Sequence, residues 1–78
     1  MLDGNLSFSL EEVEIDEASP LAGTTVGALR GEGVVTLAIL HPDGTYEANP
    51  PEDRAVRAGE NLITSGSTEA LTALRARA

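Results

Sequence analysis

Residues 19–30, SPLAGTTVGALR, include the residue types that can hold a phosphate group: two glycines, two threonines and an arginine. A Walker A loop requires the run G-x-x-x-x-G-K-[ST], and this chain has no lysine. The segment GEGVVT (31–36) begins like a dinucleotide fingerprint, but it lacks the third glycine and precedes a strand instead of following one. We therefore interpret residues 19–30 as a structural corner between a strand and a short helix.

The acidic run EEVEIDE (11–17) is a candidate site for a divalent cation, through Glu12, Glu14 and Asp16. Calcium requires roughly six to eight oxygen ligands that converge on one point. Carboxylates at alternate positions of a strand point outward in a row and do not converge. We expect a solvated acidic face and predict no metal, and a cation site shared between two subunits remains the alternative.

The single histidine, His41, ends an apolar strand and begins a turn. No motif pairs it with a carboxylate, and the chain contains neither a nucleophile elbow nor an H-E-x-x-H run. A turn histidine is usually exposed, and contact with a small ligand is the alternative for His41. Since no other constellation for catalysis is present, we predict that the protein is not an enzyme.

The composition limits the partners of the chain. With 78 residues it forms one domain, which is marginally stable alone, and the absence of cysteine excludes a disulfide. Oligomerisation or attachment to a larger protein is the usual remedy. The net charge of −8 makes nucleic acid a poor partner, because phosphates need cationic neutralisation. No apolar run is long enough for a membrane span and no signal peptide is visible, so we expect a cytoplasmic protein.

Periodicity and turn chemistry predict the elements that position these residues. Leu6, Phe8 and Leu10 alternate with serines and then give way to Val13 and Ile15, which predicts a strand with a bulge or bend near residues 11–12. The elements after it are a helix capped by Thr24 or Thr25 and stopped at Gly31, strands at 34–40, 46–48 and 61–66, and a last helix capped by Ser67. The order β-α-β-β-β-α predicts an α+β fold with a small, mostly antiparallel sheet, formed by residues 6–78 after a tail at 1–5.

The strand at residues 34–40, VVTLAIL, is apolar on both sides. Val35, Leu37 and Ile39 share one side, and Val34, Ala38 and Leu40 share the other. A strand with one side in water shows a polar face, so both sides of this strand should be covered. We predict that the chain's own helices cover one side and a second subunit covers the other. The predicted dimer interface comprises Val34, Thr36, Ala38 and Leu40.

Residues 6–77 together resemble the RCK C-terminal domain, also called TrkA-C. The resemblance rests on SPLAG before the short helix, on Gly33 and an apolar strand that ends in the turn Asp43-Gly44, on Asn49-Pro50 opening a loop that closes at Gly59, and on Leu62-Ile63 followed by Gly66-Ser67. The family commonly has a lysine after the first glycine and an aspartate after the loop glycine, where this chain has Thr24 and Glu60. The dinucleotide-binding RCK lobe that precedes the domain in the family is not in this sequence.

The resemblance implies a homodimeric, ligand-sensing regulatory lobe of a potassium channel, a potassium transporter or a cation/proton antiporter, located in the cytoplasm beside its membrane-embedded partner. Some members of the family bind cyclic di-AMP in the cleft between two subunits. In this sequence the corresponding ligand-binding residues are Ala38, Leu40, His41, Asn49 and Pro50. A dimerisation module without a ligand and a divalent-cation sensor that uses the acidic strand remain the alternatives.

Overall fold

One four-stranded antiparallel sheet and two helices make up the fold, in a computed structural model that describes residues 8–78. The elements are β1 (Phe8–Glu14), α1 (Val26–Gly31), β2 (Val34–Leu40), β3 (Tyr46–Ala48), β4 (Asn61–Ser67) and α2 (Thr68–Arg75), and the strand order is β1-β4-β2-β3. The predicted α+β fold and element order are confirmed. Leu6 and the predicted tail at residues 1–5 lie outside the described residues.

Both helices begin at side-chain caps that the sequence provides. The hydroxyl of Thr25 accepts a hydrogen bond from the Ala28 N–H at 3.1 Å, so Thr25 is the cap of α1. Ser67 accepts from the Ala70 N–H at 3.0 Å and caps α2 as predicted. Each cap satisfies one of the N–H groups that a helix start leaves unpaired.

The inner face of the sheet is the side that the two helices cover. Its core combines residues of all the larger elements with residues of the connecting segments. The buried apolar side chains are Val13, Ile15, Leu21, Val26, Leu29, Val34, Ile39, Val56, Leu62, Leu71 and Leu74. Within residues 8–78 no further element covers the opposite side of the sheet, which the helices leave exposed.

The first strand contains no bulge. β1 pairs with β4 in unbroken antiparallel register from Phe8 to Glu14, so the predicted bulge near residues 11–12 is wrong. Val13 points into the core, whereas Phe8 and Leu10 are 70% and 66% exposed. The apolar residues shift from even to odd positions because they occupy both faces of the strand. Phe8 and Leu10 lie on the outer face, and Val13 lies on the inner face.

The irregular strand is β2. Its register with β4 shifts between Thr36 and Ala38, and Leu37 is the extra residue. Val34 and Thr36 before the bulge and Ile39 after it are buried. The two predicted sides of the strand, which assumed uninterrupted alternation, are for this reason mixed: Ile39 joins Val34 on the inner face.

Residues 49–60 form a loop that docks against the start of α1. The N–H groups of Val26 and Gly27 donate to the carbonyls of Arg54 and Glu52 at 2.9 and 2.8 Å. These bonds use first-turn donors that would otherwise face water or remain unpaired. They fix the loop backbone and with it the charged side chains described below.

Candidate functional site

The outer face of the sheet is the side opposite the helices. It comprises Phe8, Leu10, Glu12 and Glu14 of β1, Val35, Leu37, Ala38 and Leu40 of β2, Tyr46 and Ala48 of β3, and Asn61, Ile63 and Ser65 of β4. Five large apolar side chains on it are exposed: Phe8 (70%), Leu10 (66%), Val35 (38%), Leu37 (43%) and Tyr46 (70%). Exposed apolar surface gathered on one face indicates an interaction site, whereas single exposed apolar residues are ordinary.

The structure separates the four residues predicted for a dimer interface. Ala38 and Leu40 lie on the outer face and are half-buried. Val34 and Thr36 lie on the inner face, where they are only 1% and 4% exposed. Their position in the core differs from the prediction because the bulge at Leu37 changes which residues face outward.

A second feature is a cleft of about 620 Å³ between the end of β2 and the docked loop. It is lined by His41, Asp53, Arg54, Ala55, Arg57 and Glu60. This volume lies within the range of about 300–1,000 Å³ that is typical of small-molecule pockets. The lining is mostly charged, which distinguishes the cleft from the apolar outer face.

Four side chains beside the cleft form what we call the ionic cluster: His41, Glu47, Arg54 and Glu60. Arg54 donates to both carboxylate oxygens of Glu60, with Nη2–Oε2 at 2.9 Å and Nη1–Oε1 at 3.2 Å, and its Nε donates to Glu47 Oε1 at 3.2 Å. His41 Nδ1 lies 3.4 Å from Glu60 Oε2, and its Nε2 lies 4.0 Å from Glu47 Oε1. The cluster therefore joins the β2–β3 hairpin to the loop.

Glu60 is the buried centre of this cluster, with only 5% of its surface exposed. Burial by itself raises the pKa of the Glu60 carboxyl, but hydrogen bonds from the Arg54 guanidinium and the Arg57 N–H, with the Arg54 charge, lower the pKa by more. The hydrogen bond to Glu60 raises the pKa of Arg54 in turn, against the opposing effect of burial. Both groups are therefore charged near neutral pH.

Of the five predicted ligand-binding residues, three belong to these two features, whereas Asn49 and Pro50 belong to neither. Ala38 and Leu40 lie on the outer face, and His41 belongs to the ionic cluster. Asn49 is exposed and has a φ of +49°, a left-handed conformation that asparagine adopts more readily than most residues. Pro50 is buried.

The acidic residues of the alternative cation site do not converge. Glu12 and Glu14 project from β1 on the outer face, and Glu12 Oε2 accepts a hydrogen bond from the Asn61 amide at 2.6 Å. Across residues 8–78 no group of three His, Cys, Asp or Glu side chains is placed to hold a metal ion. In the same part of the chain no helix is long and apolar enough to cross a membrane.

Sequence reasoning did not find the ionic cluster, apart from His41. Its acidic members are separated along the chain, and Arg54 lies in a loop without periodicity. One signal was available: Glu60 follows the loop glycine, at a position where a carboxylate was already noted as part of the family resemblance. A carboxylate that must enter a folded core needs a cation, and Arg54 is one of two arginines in the same loop.

A four-stranded antiparallel sheet with helices on one side and exposed apolar side chains on the other defines a small α+β domain with an apolar surface. A family model, the TrkA-C domain, matches residues 10–78, and the chain belongs to that family. Among solved structures, a chain described as "GsuK channel bound to NAD" is similar, with a TM-score of 0.68 and 23% sequence identity over 91% of this chain. This chain spans only 13% of that channel. No curated protein matches the sequence.

Proposed function

We propose that this chain is a cytoplasmic regulatory domain of a potassium channel, a potassium transporter or a cation/proton antiporter, and that it acts as a homodimer formed through the outer face. Membership of the TrkA-C family supports the regulatory role. The single observation on which the proposal depends is the exposed apolar outer face of the sheet. Its role is binding and assembly, and the membrane-embedded partner supplies the transport.

A second copy of the chain is the occupant that this face fits best. The apolar part of the outer face comprises β2, Ile63 of β4 and the start of β1 at Phe8 and Leu10, and the acidic positions Glu12 and Glu14 lie at the other end of the β1 edge. Such a distribution suits a twofold pairing, in which the same patch of both copies is buried and the charges stay at the rim. In a domain of 78 residues without a disulfide, burial of this face also adds stability that the small core lacks.

Sedimentation equilibrium tests the dimer. Ala38→Glu places a charge in the centre of the outer face, and we expect it to convert a dimer into a monomer. Ala73→Glu is the matched control, since Ala73 is exposed on α2 and the change in charge is the same. A wild-type monomer at all accessible concentrations, or equal dissociation by both variants, contradicts the proposed interface.

The ligand that we propose is cyclic di-AMP, bound where two outer faces meet. Ala38 and Leu40 offer an apolar floor for an adenine ring, Asn49 offers an amide to its polar edge, and His41 follows Leu40 at the strand end. The similar channel structure is described as bound to NAD, which favours a nucleotide of some kind. Calorimetry with cyclic di-AMP and with NAD tests this, and Asn49→Ala should weaken the binding of the preferred nucleotide.

The two alternatives give different results in the same experiments. A dimer that binds neither nucleotide indicates a pure assembly module. Heat on addition of Ca²⁺ that disappears in a variant with Glu12, Glu14 and Asp16 changed to amides indicates the cation sensor.

A further inference from the structure

We propose that the cleft beside the ionic cluster binds a small molecule with one carboxylate or phosphate group, and that Arg57 recognises that group. The cleft belongs to a single copy of the chain and faces the loop, whereas the proposed dimer uses the outer face. The two proposed sites share His41, but Arg57, which we assign to the anion, is not part of the nucleotide site, so Arg57→Gln tests the cleft separately.

The ion pairs of the chain single out Arg57. The other four arginines pair with carboxylates: Arg30 with Glu52, Arg54 with Glu47 and Glu60, Arg75 with Glu11, and Arg77 with Glu32. Within residues 8–78 the guanidinium of Arg57 has no such partner, although the sequence has 13 acidic residues for 5 basic ones. In so acidic a chain, an unpaired arginine in a cleft keeps its N–H donors available for an external anion.

A backbone hydrogen bond positions Arg57 at the cleft and leaves its guanidinium available. Its backbone N–H donates to Glu60 Oε1 at 2.8 Å, which fixes the position of its backbone. Arg54 already bonds Glu47 and both oxygens of Glu60, so the charge of Glu60 is compensated before any ligand arrives. His41, half-exposed on the cleft wall, is the second polar group that a ligand meets.

The charge of the lining limits what the cleft accepts. A guanidinium presents parallel N–H donors that match the two oxygens of a carboxylate or phosphate. Asp53 also lines the cleft and repels a ligand that has further negative charges, which favours a single anionic group. The net charge of −8 opposes anions at long range, but salt near the physiological level screens this beyond about 8 Å.

The single histidine gives a direct readout of occupancy. The ring protons of His41 are the only imidazole signals in an untagged chain, so proton NMR reports on the cleft itself. We would titrate acetate, succinate, inorganic phosphate and glycerol 3-phosphate at constant pH and near-physiological ionic strength. These probes separate carboxylates from phosphates and one anionic group from two.

Three variants test the assignment. We expect a saturable shift of the His41 signals with at least one probe, weakened about tenfold by Arg57→Gln, strengthened by Asp53→Asn, and unchanged by Arg77→Gln. Arg77→Gln is the matched control because it removes the same charge at a residue that does not line the cleft. The proposal is overturned if no probe gives a saturable shift, if Arg57→Gln and Arg77→Gln weaken binding equally, or if Asp53→Asn weakens it.

Discussion

The inner and outer faces of the sheet both carry apolar side chains, and they differ mainly in that the helices cover only the inner face. On β2, Val34 and Ile39 point inward and are buried, while Val35 and Leu37 point outward and are 38% and 43% exposed. Both pairs are apolar, so hydrophobicity alone does not decide which face is the core. The helices decide it, because α1 and α2 together supply enough apolar surface to cover only one side. Several apolar side chains gathered on the uncovered face indicate an interaction surface, whereas a single exposed apolar side chain does not.

The largest expected difference between the faces is in folding stability. Leu62→Ala removes a fully buried inner-face side chain on the central strand β4, and we expect it to lower the free energy of unfolding by about 2–5 kcal/mol. Leu37→Ala, in dilute solution where a dimer dissociates, should change it by less than about 0.5 kcal/mol. Urea unfolding followed by circular dichroism measures both. Equal losses would mean that the two faces are packed alike.

The second-largest effect on stability is expected at Gly66, where the backbone of Gly33 approaches closely on the inner side of the sheet. A Cβ at Gly66 would lie 2.6 Å from the Gly33 carbonyl oxygen. Gly66→Ala should therefore destabilise the fold by about 1–3 kcal/mol, since one of the two strands must shift. Gly31→Ala is the control: a Cβ there meets nothing within 4 Å, so thermal unfolding should show no loss of stability.

The buried carboxylate predicts a dependence on pH. The folded-state pKa of Glu60 is lowered, so the unfolded chain binds its proton first as the pH falls, and the stability from Glu60 is lost below about pH 4.3. Glu60→Gln should cost about 1–3 kcal/mol at neutral pH and flatten the acid limb of the stability curve. Glu52→Gln, on an exposed ion pair, should leave that limb unchanged. An acid limb that Glu60→Gln leaves as steep as wild type would contradict the assignment.

The smallest expected effect is a difference in folding stability between variants of Thr36 and Thr64, which are paired across β2 and β4. The hydroxyl of Thr36 is buried and finds no hydrogen-bond partner among the described residues, whereas Thr64 Oγ1 donates to the Glu11 carbonyl at 2.8 Å. Thr36→Val should stabilise the fold by up to about 1 kcal/mol, and Thr64→Val should destabilise it by about the same amount. Differential scanning calorimetry resolves the opposite signs, and a loss of stability in Thr36→Val would reveal a partner for its hydroxyl.

Much of the fold follows from the sequence because its signals are local. The alternation in β2, the turn after His41 and the cap at Ser67 each depend on neighbouring residues. The bulge at Leu37 and the unbroken register of β1 do not depend on neighbouring residues. Both result from pairing with β4, which lies more than twenty residues further along the chain. The sequence located a strand that is apolar on both sides but assigned Val34 to the same face as Ala38, whereas Val34 lies on the inner face.

The candidate site residues also fall into those that local sequence patterns predict and those that only the folded structure brings together. Apolar periodicity predicted that Ala38 and Leu40 share one face of a strand, and the structure places both on the outer face. The contact between Arg54 and Glu60 was not found, because it depends on how a loop without periodicity folds back against α1. Long-range ionic contacts of this kind become visible only once the backbone is known.

The central claim, that the outer face pairs with a second copy, is tested most directly by intermolecular NOEs. In a sample that mixes isotope-labelled and unlabelled chains, contacts between copies are detected without any mutation. We predict that the methyl groups of Leu10, Val35 and Leu37 on the outer face show these contacts. Intermolecular NOEs confined to exposed helix residues such as Ala28 and Ala73, or their complete absence at high concentration, would contradict it.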